Sequence, residues 1–154
     1  MAGVVGDPHF ETFDKRKYTF NGFGEFVLFE ALNEKRQVEQ IVQIRMRPFS
    51  TGDKARGTVI SAVAIKSSSS DLIQLEKEEN SQNLKVMIND AVLDLDKLAQ
   101  EYIVENGANV VKKKDHILIQ MTNEINLVVA SDLDIQVMLY VPERFKSRTR
   151  GKKM

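Results

Sequence analysis

The chain has 154 residues and a mass of 17.5 kDa, enough for one domain that buries roughly 68–70% of its unfolded surface without covalent staples. Apolar residues at 42% and charged residues at 29% mark it as globular, and the absence of cysteine removes disulfides, thiolate metal sites and cysteine nucleophiles. The 22 basic and 22 acidic residues cancel, which argues against a generally basic nucleic-acid binder, yet six basic residues and one acid occupy the last 12 positions.

The apolar pattern along the chain is mostly period two, the signature of strands with one buried face. Candidate strands run through Phe26–Phe29, Val38–Met46, Val59–Ile65, Asp71–Leu75 and Leu84–Ile88. Tyr102–Val104 and Val110–Val111 follow, then the alternating sets Ile117, Ile119, Met121 and Ile125, Leu127, Val129. The clearest case is Leu133 to Val141, where every odd position is aliphatic. Turn residues separate these runs: Asn21-Gly22, Thr51-Gly52-Asp53, Ser67 to Ser70, Asn80-Ser81, Asn89-Asp90, Asn106-Gly107 and Asn123. Ile88-Asn89-Asp90-Ala91-Val92 reads as a tight hairpin. Asp94 to Gln100 is the one helical candidate. The expectation is an all-β fold, an antiparallel β-sandwich-like stack of hairpins with at most one short helix. The domain is taken as residues 1–142, with 143–154 as a basic C-terminal extension.

Chemistry-bearing residues are sparse. His9 and His116 are the only histidines, too few for a two-histidine zinc centre with other ligands in sight. His116 reads as a strand-end surface residue. Gly22-Phe23-Gly24 precedes a strand rather than a helix, so a turn is expected there and not a dinucleotide loop. Asp90, Asp94 and Asp96 lack the spacing, glycine and closing glutamate of an EF-hand and read as solvated or capping residues. There is no nucleophile elbow and no phosphate loop. No apolar run reaches the 18 or so residues of a membrane span. Met1 to Val5 lacks the basic and long apolar regions of a signal peptide, so the chain is either intracellular or part of a longer protein. No Asn-x-Ser/Thr acceptor occurs. Arg144, Lys146, Arg148, Arg150, Lys152 and Lys153 offer a polyanion-binding tail, but only Phe145 accompanies them and no base-stacking set does.

The N-terminal stretch is denser in information. Gly6-Asp7-Pro8-His9-Phe10-Glu11-Thr12-Phe13-Asp14 is followed by Tyr18-Thr19-Phe20-Asn21-Gly22-Phe23-Gly24-Glu25-Phe26-Val27-Leu28. Seven of the chain's eleven aromatics fall between Phe10 and Phe29, a concentration expected to form the core of the first hairpin, turned at Asn21-Gly22. The Asp7-Pro8 bond has its own chemistry. The Asp7 carboxylate can attack its own carbonyl carbon, and the proline nitrogen leaves once protonated, with His9 near enough in sequence to donate that proton.

These motifs resemble the opening of a von Willebrand factor type D domain, and Val141-Pro142-Glu143-Arg144-Phe145-Lys146-Ser147-Arg148-Thr149-Arg150-Gly151 is similar to a segment near that domain's far end. The version is most similar to the branch in transmembrane mucins and sushi-domain surface proteins. The middle, roughly 33 to 130, matches only in strand rhythm. The resemblance implies a non-enzymatic extracellular or cell-surface module of a larger adhesive or mucin-like protein. Its implied partners are other surface proteins and neighbouring domains, without nucleic acid and without a membrane span in this segment. It also implies the alternative of self-processing at Asp7-Pro8. No cofactor is required, while the resemblance implies that Asp14 helps hold calcium in a longer parent chain, with partner ligands from a loop beyond Met154. Lys15 stands where the family usually has glycine, and the cysteines of many members are missing.

Overall fold

The computed structural model describes residues 2–5, 9–11, 17–19, 24–48, 58–67, 71–78, 83–93, 101–104, 108–131 and 135–151. They form two antiparallel sheets. In chain order the strands are β1 (Ala2–Val5), β2 (His9–Glu11), β3 (Lys17–Thr19), β4 (Gly24–Leu32), β5 (Val38–Pro48), β6 (Thr58–Ser67), β7 (Ile73–Lys77) and β8 (Leu84–Ile88). They continue with β9 (Ala91–Leu93), β10 (Glu101–Val104), β11 (Ala108–Lys112), β12 (His116–Met121), β13 (Asn126–Ser131), β14 (Ile135–Tyr140) and β15 (Thr149–Gly151). One sheet has eight strands in the order β10-β11-β12-β13-β14-β1-β2-β3, the other seven in the order β15-β4-β5-β6-β7-β8-β9. The fold is the all-β sandwich that the alternation predicts.

Alternation decides which side chains meet. In β14, Ile135, Val137 and Leu139 are buried while Gln136, Met138 and Tyr140 face outward. In β5, Gln40, Val42, Ile44 and Met46 point in and Gln43, Arg45 and Arg47 point out. One core cluster takes Phe29, Ile65, Leu75 and Val86 from the seven-stranded sheet and Ile119, Leu127, Val129 and Val137 from the eight-stranded one. The two inner faces thus seal each other from water, the main stabilising term for such a fold. Irregularities in pairing between Val27 and Phe29, and again between Arg45 and Met46, mark bulges that bend β4 and β5.

The β8–β9 hairpin turns as expected. Asn89 and Asp90 both have positive φ, 48° and 67°, the conformation a two-residue primed turn demands. The Asn89 side chain accepts a hydrogen bond from Leu72 N–H at 2.9 Å, which anchors the tip to the start of β7.

Two expectations change. The N-terminal aromatic stretch is not the core of one hairpin: β2 and β3 pair within the eight-stranded sheet, while β4 belongs to the other. Phe26 and Phe29 of β4 thus join the core from the layer opposite β2 and β3. Residues 143–151 do not trail from the fold. A single 3-10 turn, Glu143–Phe145, carries Phe145 into the core at 2% exposure, and β15 pairs with β4. The folded unit runs on through Gly151. The helical candidate Asp94 to Gln100 lies outside the described residues.

Candidate functional site

The chain places Gly6, Asp7 and Pro8 between β1 and β2, where Val5 and His9 are register partners. Asp7 and Pro8 lie outside the described residues. Of His9 the structure gives the backbone, paired with Val5 on one side and Thr19 on the other. The strand ahead of the bond, β1, is an interior strand, hydrogen-bonded to β14 and β2. Asp14 falls between β2 and β3 and is likewise outside the described residues. Among the described residues no three histidine, aspartate or glutamate side chains gather as a metal-holding group. The described residues therefore supply no ligand set for calcium, whose 6–8 oxygens need several converging carboxylates and carbonyls.

The C-terminal segment is built in detail. Residues 141–148 leave β14 of one sheet and deliver β15 to the edge of the other. Register fixes the landing: Thr149 opposite Ala31, Arg150 opposite Glu30 and Gly151 opposite Phe29. Leu32 N–H donates to the Arg148 carbonyl at 2.8 Å, and Arg36 Nη1 donates to the Ser147 carbonyl at 3.1 Å. The guanidinium carbons of Arg144 and Arg148 sit 5.2 and 5.1 Å from the centre of the Phe145 ring, within cation–π range. Arg144 also pairs with Glu124 at 3.3 Å and donates to the Asn123 carbonyl.

Asn123 ties this strap to both sheets. It sits in the β12–β13 turn, and its Oδ1 accepts from Ile125 N–H at 3.2 Å. That bond orients the amide, so Nδ2 donates to Gln40 Oε1 at 2.8 Å across the sandwich. Gln40 is wholly buried, and its Nε2 has no hydrogen-bond partner among the described residues.

Of the six basic residues read as a polyanion tail, three have internal work. Arg144 and Arg148 hold the strap as above, and Arg150 pairs with Glu30 at 2.9 Å. Lys146 is exposed, and Lys152 and Lys153 lie outside the described residues. Arg144, Arg148 and Arg150 are thus committed to partners within the chain. No signal in sequence alone marks Arg144 and Arg148 as strap residues, because their partners Asn123, Glu124 and Phe145 acquire that role only through the fold.

Two other polar groupings stand on the surface. His116 opens β12, and its Nδ1 lies 2.7 Å from Asp115 Oδ1. The hydrogen bond from His116, aided by the backbone and by the charge of Lys114, holds the Asp115 carboxyl below its ordinary pKa. On the outer face of the seven-stranded sheet, Arg45 Nη2 meets Glu25 at 2.9 Å and its Nη1 meets Glu76 at 3.6 Å. This bridge crosses a shallow depression floored by Ala62 and Ala64. Glu25 belongs to the Gly24-Glu25-Phe26 motif of the sequence, and Gly24 opens β4 with φ 104°, a conformation glycine adopts without cost. Neither grouping brings together a nucleophile, a base and an orienting third group. No helix among the described residues is long and apolar enough to cross a membrane.

Comparison with known proteins agrees with this architecture. The chain is similar to Sushi domain-containing protein 2 of Homo sapiens, 35% identical over a 158-residue alignment that takes in 98% of the chain and 18% of that protein. It is also similar to Protein mesh of Bombyx mori, 26% identical over 161 residues, with 98% of the chain and 10% of that protein covered. The chain thus spans less than a fifth of the length of these relatives. The profile of the von Willebrand factor type D domain matches residues 2–151, from β1 through β15. The chain belongs to the von Willebrand factor type D domain family.

Proposed function

We propose that this chain is a non-enzymatic structural and adhesive module of a larger extracellular or cell-surface protein, working through contacts with neighbouring domains and partner proteins. The observation that carries the reading is the family match along the whole sandwich, in a chain that corresponds to a small part of each relative's length. Fold alone does not make function, so the reading goes no further than a module that acts through contacts. The test is impermeant cross-linking on intact cells that express the tagged parent protein. Cross-links from this module to another surface protein or a neighbouring domain would support the reading. A parent that the impermeant reagent does not reach would overturn it.

A second reading is favoured by one observation, the sequence Asp7-Pro8-His9 at the junction of two paired strands. The chemistry is one intramolecular turnover. The Asp7 carboxylate attacks the carbonyl carbon of the Asp7-Pro8 bond, and the proline nitrogen departs with a proton from His9. The cyclic anhydride left behind takes up water and opens to a C-terminal aspartic acid. An intact-mass time course from pH 5 to 7.5 beside Asp7→Asn tests it. Separation into residues 1–7 and 8–154 in the unsubstituted chain only is the expected result. An unchanging mass leaves Gly6 to His9 as a structural connection.

A further inference from the structure

The two outer faces of the sandwich differ in charge. On the seven-stranded sheet, Glu25, Arg45, Glu76 and Lys85 share one cross-strand row, and Arg150 pairs with Glu30 farther along. On the eight-stranded sheet, the consecutive strands β11 to β14 bury every second side chain. Register sorts their outward side chains into three rows. The central row is Val111, Leu118, Val128 and Met138, all half-buried. One flanking row is Asn109, Gln120, Asn126 and Tyr140, and the other is His116, Ala130 and Gln136. None of these side chains is Asp, Glu, Lys or Arg, in a chain that is 29% charged. Asp115, paired with His116, stands at the rim. Gln120 is exposed and Tyr140 is 44% exposed, so the flanking row reaches solvent. An apolar centre without charge, edged by amides and a tyrosine, has the composition of an interface core.

The chemistry of this face selects its mate. A charged surface brought against it would lose hydration and gain no counter-charge. The outer face of the seven-stranded sheet is such a surface, through Glu25, Arg45 and Glu76. Amides both donate and accept hydrogen bonds, and aliphatic side chains carry no sign, so the uncharged face is complementary to a copy of itself. A two-fold axis between β12 and β13, parallel to the strands, sets Leu118 against Val128 of the second copy and Gln120 against its Asn126. Each contact then occurs twice, and the pairing closes at two copies. Sheets stack face to face in this way, about 10 Å apart, inside sandwiches. Area sets the strength. Four strands and three rows of side chains cover roughly 20 Å by 20 Å. Two copies then bury on the order of 1,000 Å² in all, short of the 1,200–2,000 Å² or so of a stable complex, which makes the dimer weak.

We propose that the outer face of β11–β14 is a self-association surface, on which two copies of this chain pair sheet to sheet about Leu118 and Val128. The pairing needs only the folded domain, so it does not depend on the module's place at a cell surface.

Sedimentation velocity of the 154-residue chain tests it, from about 10 μM to about 1 mM, a range that brackets a weak Kd. The weight-average mass should climb from 17.5 kDa toward twice that value and no further. The rise should be the same in about 50 mM and about 500 mM NaCl, because the contact makes no ion pair. Leu118→Lys puts a charge at the centre of the face and should weaken pairing about tenfold or more. Ile41→Lys, the same change at a half-buried outward site on the other sheet, should leave pairing intact. Where Leu118→Lys does not fold, Gln120→Glu at its exposed site carries the test, with weakened pairing expected. A mass that stays at 17.5 kDa throughout overturns the proposal. So does a dimer that high salt dissolves, one that grows beyond two copies, or one that neither face variant weakens.

Discussion

Removing the Phe145 ring should cost about 3–5 kcal/mol, the range for aromatic truncation in a core that cannot collapse onto the space. The ring is 2% exposed and lies against two guanidinium groups, so Phe145→Ala loses packing and cation–π contacts together. Denaturant unfolding checks this, and a loss under 1 kcal/mol would mean that the strap is not part of the stable core. A second prediction concerns Asp115. Its carboxyl titrates below the ordinary range because His116 hydrogen-bonds to it. The folded-state pKa is lowered, so the pair's contribution is present above the ordinary aspartate value and lost as pH falls through the lowered one. In His116→Ala the NMR midpoint of Asp115 should move up toward the ordinary value. Both residues are legible in sequence as types, but their neighbours are not. His116 stands at the strand end where its place in the sequence puts it, whereas nothing in the basic run around Phe145 shows that its ring is buried.

At the scale of elements, the strand rhythm was readable because burial of one face forces period two on each strand. The alternation in Ile135 to Tyr140 and in Val42 to Arg47 survives in the structure residue by residue. Turn chemistry was readable for the same local reason at Asn89-Asp90, where asparagine and aspartate tolerate the left-handed conformation better than other side chains. Asn89→Ala should cost about 1–2 kcal/mol, since it gives up both that tolerance and the hydrogen bond from Leu72. Thermal unfolding of Asn89→Ala beside Asn89→Gly separates the two contributions, because glycine restores the backbone freedom and not the bond. Equal stability of all three proteins would show that the turn is not under this constraint. Strand β15 was not readable. Its three residues, Thr149, Arg150 and Gly151, have no apolar alternation, and they are a strand only because β4 offers them an edge.

For the whole molecule, the arrangement of strands makes a prediction about processing. Strand β1 lies inside the eight-stranded sheet with a partner on each side. Should the Asp7-Pro8 bond open, residues 1–7 would stay docked by the backbone pairs of β1. The native mass should then be unchanged while the denatured protein separates into two pieces. Native mass spectrometry beside denaturing mass spectrometry checks this, and release of the short piece under native conditions would show that two ladders do not hold it. The chain also closes on itself at one end of the sandwich. Arg144 joins Asn123 and Glu124 of one sheet to the strap, and Asn123 reaches Gln40 of the other. The Asn123–Gln40 contact links positions 83 residues apart in the chain, a separation that favours slow folding, on the order of milliseconds to seconds.

Sequence by itself determined the fold class, the strands from β4 to β14, the tight β8–β9 turn and the family, because each is written in local periodicity, turn residues or a contiguous motif. Tertiary structure alone decided which strands share a sheet, that β4 with Phe26 and Phe29 lies in a different layer from β2 and β3, and that residues 141–151 are a strap anchored in the core by Phe145. The physical reason is that alternation reports which face of a strand is buried and is silent about its partner. Partners are chosen by backbone hydrogen bonding and by packing between segments far apart in the chain. The same silence hid the uncharged outer face of β11–β14, since only the register sets Leu118 beside Val128.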